Sequence, residues 1–226
     1  MPPALQSLRN LISIEVTKSV LARWPADAAL TARYHTKMLS VTILQTNMTE
    51  LPLGLRSADF PPKLDDIEIC DSSFTALPVE IDEAWGDTYY VFVERSELVS
   101  FPEALTRMKI AQLSLSGNHI ATIPREFLCG RDIDELHVSS NPMIALPRAD
   151  ELSDCGLTRI GRLGFVDTRV GALPALTVSS VTVVQAIGSP LCLENSTAPT
   201  SSSARPRVDC SEVLPLQYPL YLVSSD

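Results

Sequence analysis

The chain has 226 residues, 45% of them hydrophobic and 20% charged, which is enough apolar material for a packed core and excludes wholesale disorder. Its net charge of −9 excludes the basic face that phosphate binding needs, so nucleic acid is not an expected partner. Seventeen prolines exclude a plain helical bundle, because each one stops a helix or marks a turn.

Seven of those prolines follow a bulky apolar residue: Pro25, Pro52, Pro78, Pro102, Pro124, Pro147 and Pro174, spaced by 27, 26, 24, 22, 23 and 27 residues. Eleven residues before each stand Ile14, Val41, Ile67, Val91, Leu113, Leu136 and Leu163. Nine before stand Val16, Ile43, Ile69, Val93, Leu115, Val138 and Phe165, and four before stand Leu21, Met48, Phe74, Leu98, Ile120, Met143 and Val170. The first two columns alternate with mostly polar residues, the period of a half-buried strand. One such strand in each copy, stacked in parallel, turns each column into a continuous apolar seam, and no copy buries its own face alone. The spacer Ala26 to Lys37 and the stretch from Glu103 suit short helices on the far side.

An eighth strand is expected over Val178 to Val184, with Val181 and Val183 at the two inward positions. The stretch Leu173 to Leu193 is uncharged and long enough to cross a bilayer, but its prolines, Gln185 and hydroxyl side chains argue against a membrane span. Asn195 to Arg207 is rich in Ser, Thr, Pro and Ala and reads as a flexible stalk. Val213 to Val223 is apolar, too short to span a membrane, and is expected to pack back on the array or stay loose. At the other end, Pro2 precedes Leu11 by the interval that separates Pro124 from Ile133, so the array begins in mid-copy, as a piece of something longer would. The expected division is an array over residues 1–193 and a tail over 194–226.

The pattern LxxLxLxxNxLxxIP, matched almost letter for letter by Ile110 to Pro124, resembles the leucine-rich-repeat family. The resemblance covers Pro2 to about Cys192. It implies an α/β fold, a right-handed horseshoe solenoid with a parallel sheet on the concave side and short helices or turns on the convex side. The family's asparagine column lies six residues before the proline, where a buried amide satisfies backbone groups leaving the strand. Here Asn118 and Asn141 supply it, while Ser19, Thr46, Ser72, Ser96 and Thr168 offer a hydroxyl, which leads us to expect irregular turns outside residues 110–150.

The five cysteines form no CxxC pair and could be thiols, two disulfides with one free thiol, or a mixture. The segment Gly188 to Cys192 resembles the closing turn of secreted leucine-rich-repeat domains, which implies a cap disulfide between Cys192 and Cys210. Cys129 and Cys155 occupy similar places before Gly130 and Gly156 and are candidates to face each other, leaving Cys70 as the odd thiol, projecting toward the concave side. Asn47-Met-Thr and Asn195-Ser-Thr are glycosylation acceptors and, with the cysteines and stalk, point to an extracellular or cell-surface location.

No P-loop, GxGxxG, GxSxG or HExxH motif is present, and His35, His119 and His137 are dispersed. No enzyme, cofactor or metal site is expected. The positions between the inward columns instead place Asp66, Glu68, Tyr90, Phe92, Gln112, Ser114, Glu135 and His137 on the concave face, aromatics ringed by acids; the alternative is that Tyr90 and Phe92 only pack on each other and Asp71 pairs with Arg95 at the rim. Residues 59 to 103 hold 12 acids against Lys63 and Arg95, so a basic protein or peptide is the preferred ligand. The expected function is a binding module of a receptor-like or cell-surface protein. The alternative is an intracellular, cytoplasmic scaffold or signalling adaptor of the same fold.

Overall fold

The computed structural model describes residues 1–148, 150–154, 158–173, 181–195 and 206–210. They group into two compact units, residues 1–98 with 102–110, and residues 99–101 with those from Ala111 onward. In the first unit β1 (Ser13–Ser19), β2 (Ser40–Thr46), β3 (Asp66–Cys70) and β4 (Tyr90–Glu94) run parallel in chain order. In the second, β5 (Gln112–Ser114), β6 (Asp132–His137), β7 (Arg159–Gly164), β8 (Val181–Gln185) and β9 (Arg207–Asp209) do the same.

The apolar columns set the register. Ile14 stands beside Val41, Val41 beside Ile67 and Ile67 beside Val91, with Val16, Ile43, Ile69 and Val93 forming a second line. In the second unit Leu113 meets Leu136 and Leu136 meets Leu163. Both lines are buried throughout, except for the half-buried Val16 in the first strand. A slip of one residue in any strand would turn its whole apolar set outward, so burial and register enforce each other.

The turn leaving each strand is regular, contrary to the irregularity expected from the hydroxyl-bearing copies. Seven residues before the proline, Lys18, Gln45, Asp71, Arg95, Gly117, Ser140 and Asp167 all adopt positive φ. The glycine in this set is at ease there, whereas each of the others bears a cost of about 1 kcal/mol. The bend aims the next side chain inward. Asn141 then donates from Nδ2 to the carbonyls of Leu115 (2.8 Å) and Val138 (3.1 Å), while its Oδ1 accepts from the Ile120 N–H at 2.9 Å. Thr168 makes the shorter-reaching version, donating to the Phe165 carbonyl at 2.8 Å. In the second copy Asn47, one place along from the expected column, takes over the acceptor role and receives the Leu21 N–H at 2.8 Å.

On the far side the connections are tight. The expected helices at Ala26 and Glu103 are single 3-10 turns, Ala26–Ala28 and Glu103–Thr106, joined by Leu53–Leu55, and short α-helices occupy Ile81–Trp85 and Arg125–Leu128. Both tryptophans sit beneath these turns. Trp24 Nε1 donates to the Ala28 carbonyl at 2.8 Å and Trp85 Nε1 to the Leu55 carbonyl at 2.9 Å.

Two expectations about the end of the array are corrected. In β8, Val184 rather than Val181 pairs with Leu163, and the Phe165 N–H reaches the Gln185 carbonyl at 2.7 Å. This is a slip of three residues from the expected register, and an odd slip exchanges the faces at the end of the strand: Val184 and Ala186 are buried, while Val183, expected inward, is half-buried beside Arg162. Gly188 sets the frame, because its φ of +74° provides the left-handed bend in this copy. The expected first residues of that strand, 178–180, lie outside the described residues. Arg207, assigned above to a flexible stalk, instead begins β9, where Arg207 and Val208 pair with Val183 and Val184. Cys192 and Cys210 are disulfide-bonded, with Cα atoms 5.7 Å apart, so β9 is tied to the short helix Pro190–Asn195.

A Cβ on Gly54 would overlap the indole of Trp24, which is only 3% exposed and has no room to yield. Gly54→Ala is therefore expected to cost roughly 2–3 kcal/mol by overpacking. Urea unfolding of the variant should show a lowered midpoint at unchanged slope.

Candidate functional site

The side chains between the inward columns form the outer face of the sheet, the face expected to be concave. In the first unit Glu15, Thr42, Glu68 and Phe92 stand abreast on successive strands, with Ser13, Ser40, Asp66 and Tyr90 in the row before them. In the second unit Gln112, Glu135 and Arg162 form one row, and Ser114, His137 and Gly164 the next. Asp66, Tyr90, Phe92, Gln112, Glu135 and His137 are half-buried. Glu68 and Ser114 are not: they are 4% and 1% exposed, so these two belong beneath the surface rather than on it.

Burial changes the chemistry of the first row. Glu68 accepts a hydrogen bond from Thr42 Oγ1 at 3.1 Å. Desolvation, helped by the charge of Asp66 and to a smaller extent by Glu94 and Glu15, pushes its carboxyl up to about 8 against the opposing Thr42 bond. Asp66 rises to about 6, first by desolvation and then by repulsion from Asp65, and its Oδ1 is buried with no hydrogen-bond partner among the described residues. At neutral pH this row therefore holds Glu68 largely as a neutral acid. At the rim Arg95 Nη2 does meet Asp71 Oδ2, at 2.6 Å.

The second unit carries a compensated triad. Arg162 Nη1 lies 2.6 Å from Glu135 Oε1, and His137 Nε2 lies 3.1 Å from Glu135 Oε2. The His137 hydrogen bond and the guanidinium together hold the Glu135 carboxyl below its usual range against desolvation. Gly164 makes the triad possible, since a Cβ there would overlap the His137 ring. Arg162 and Gly164 were outside the set expected from sequence. Their signal was present in the row positions, where a cation and a residue without a side chain fall beside Glu135 and His137.

The remaining candidates fall elsewhere. Cys70 is a free, buried thiol on β3, and desolvation drives it well above the ordinary thiol range. Cys129 is disulfide-bonded, and Cys155, its expected partner, lies outside the described residues. Asn47 is exposed, its Oδ1 occupied by the Leu21 N–H. Asn195 closes the helix Pro190–Asn195, and the rest of its acceptor triplet lies outside the described residues. His35 is fully buried, its Nδ1 accepting from the Thr31 N–H at 3.2 Å and its Nε2 3.2 Å from the Leu5 carbonyl. That fixes the neutral tautomer with the proton on Nε2.

Because folding raises the pKa of both Asp66 and Glu68, the folded unit holds protons that the unfolded chain has released. Their contribution is full below about pH 4, where both states are protonated, and is lost as pH rises toward about 8. Wild type should lose on the order of 2 kcal/mol between pH 5.5 and 9, and Glu68→Gln should remove most of that slope. Urea denaturation followed by far-UV circular dichroism at the two pH values measures it.

No family model matches this chain. No curated protein matches it either. Among solved structures, the leucine-rich-repeat domain of a Shigella effector superimposes with a TM-score of 0.60 at 14% identity, covering 91% of this chain and 84% of that one. A leucine-rich-repeat protein of Leptospira interrogans gives 0.56 at 16% identity, over 92% of this chain and 62% of that one. A plant ice-binding protein gives 0.50 at 14% identity, over 83% and 52%. At such identities the likeness concerns the path of the backbone, and it agrees with the columns, the parallel register and the repeated left-handed turn. The chain has the leucine-rich-repeat solenoid fold.

Proposed function

We propose that the chain is a non-enzymatic binding module that takes a protein or peptide ligand on the outer face of its strands. The observation that carries this reading is the pair Tyr90 and Phe92 on β4, half-exposed beside the carboxylate of Asp66. Aromatic side chains supply contact area at small entropic cost, and a neighbouring charge steers and orients the partner. In the second unit Gln112, Glu135 and His137 offer polar contacts on the corresponding face, with Glu135 already oriented by Arg162. The concentration of acids between residues 59 and 103 favours a ligand bearing lysine or arginine. Glu68 and Ser114 support the surface from below without touching the ligand.

Tyr90→Ala and Phe92→Ala are each expected to weaken binding of a labelled panel of Lys/Arg-rich peptides at least tenfold, read by fluorescence polarisation, with the far-UV spectrum unchanged. Unaltered affinity in both variants would remove this site.

An extracellular or cell-surface setting is supported by the Cys192–Cys210 disulfide, the oxidised Cys129 and the exposed acceptor Asn47. Protein isolated from its native source should lose mass on enzymatic deglycosylation and, denatured without reduction, show one alkylatable thiol, that of the buried Cys70. Five alkylatable thiols and no mass change would assign the chain to an intracellular adaptor instead.

A further inference from the structure

Asn47 stands one place past the asparagine column, and that displacement separates the fates of its two amide atoms. In the column itself Asn141 is buried and uses both ends of its amide inside, Nδ2 on the carbonyls of Leu115 and Val138 and Oδ1 on the Ile120 N–H. Asn47 keeps only the second kind of contact. Its Oδ1 accepts the Leu21 N–H at 2.8 Å, while its Nδ2 makes no hydrogen bond among the described residues, and the residue is exposed. A backbone N–H can only donate, so the oxygen is the atom that faces Leu21 and the nitrogen is the one left over. That nitrogen is the atom to which an N-linked sugar is joined, and Met48 and Thr49 complete the acceptor triplet. Asn47 also lines a groove of about 470 Å³ between the first two copies, within the roughly 300–1,000 Å³ of ordinary ligand clefts. Pro25, Pro52 and the exposed Leu53 give the groove apolar lining, and Arg23 and Glu50 give it polar lining. Both charged side chains are exposed and make no hydrogen bond or ion pair among the described residues.

We propose that Asn47 carries an N-linked glycan whose first N-acetylglucosamine lies in this groove, covering Leu53 and hydrogen-bonding to Arg23 and Glu50. A sugar ring matches such a lining, because its C–H face packs on apolar side chains while its hydroxyls bridge a guanidinium and a carboxylate. The carboxamide need not move to carry it: Oδ1 still receives the Leu21 N–H, and the sugar leaves from the other end of the planar amide. Attachment precedes folding, since Met48, at the centre of the triplet, is packed in the core once the copies stack. In that step Nδ2 attacks the anomeric carbon of a lipid-pyrophosphate-linked oligosaccharide. The bond from that carbon to the pyrophosphate oxygen breaks, the pyrophosphate leaves with the electron pair, and one amide proton passes to a base of the transferase. The inference rests on the extracellular reading above, because an exported chain is the one that meets that donor.

The full chain is secreted from a eukaryotic host behind a signal sequence, and occupancy of Asn47 is read by mass spectrometry of its glycopeptide. Asn47 is expected to be occupied, with peptide N-glycosidase releasing the glycan at least tenfold more slowly from the native protein than from the denatured chain. Arg23→Ala/Glu50→Ala removes the exposed polar lining and should speed release from the native protein at least fivefold. Thr49→Ala blocks attachment without altering Asn47 and should lower the thermal midpoint, followed by indole emission, by about 2–4 °C. Thr49→Ser, which keeps the acceptor, should leave the midpoint in place, as should trimming the glycan to its first sugar. An unmodified Asn47 overturns the inference. So does an occupied Asn47 whose release rate is the same in wild type and Arg23→Ala/Glu50→Ala, or a midpoint indifferent to Thr49→Ala. Secretion is imposed in this experiment, so its failure strikes the sugar and its seat, whereas the natively isolated protein decides the extracellular reading.

Discussion

Each strand of this protein has an inward side that nothing in its own repeat can cover. Ile14, Val41, Ile67 and Val91 bury one another only because the strands stack in parallel and in register. That dependence on the neighbour governs the rest: the spacing of the prolines, the left-handed bend at the end of β1 to β8, and the amide and hydroxyl side chains that receive the backbone where it turns inward. It also frees the outer side of the sheet from packing against the interior, and that side is where residue type varies most from copy to copy.

What those outer residues do differs between the two units. In the second, Glu135 is flanked by Arg162 and His137, so its charge is matched and its geometry fixed. In the first, acids stand beside acids, and Glu68 meets the conflict by keeping its proton and leaning on Thr42. A matched triad favours oriented hydrogen bonding, whereas a partly neutral acidic row beside Tyr90 and Phe92 favours a partner that brings both apolar contact and positive charge.

The interior was legible in the sequence because inward residues must be apolar at fixed offsets, and seven copies repeat the constraint. The bend was not, because glycine marks it in only two copies, at Gly117 and Gly188, while residues as ordinary as Lys18, Gln45 and Arg95 adopt it elsewhere. The eighth strand misled for a related reason: Val181, Val183 and Val184 occupy both parities, so alternation cannot choose a face, and the choice falls to Gly188 further along. The outer surface was half legible. The rows predicted which residues stand side by side, but alternation marks Glu68 as outward and does not record that it is buried.

Both tryptophans of the chain, Trp24 and Trp85, are packed under turns of the first unit. In a solenoid, where each copy leans on the next, the two halves need not melt together. Indole emission then follows the fate of the amino-terminal half alone, while backbone spectroscopy averages over both. A disagreement between the two signals would measure how far cooperativity travels along the array, without any label being introduced.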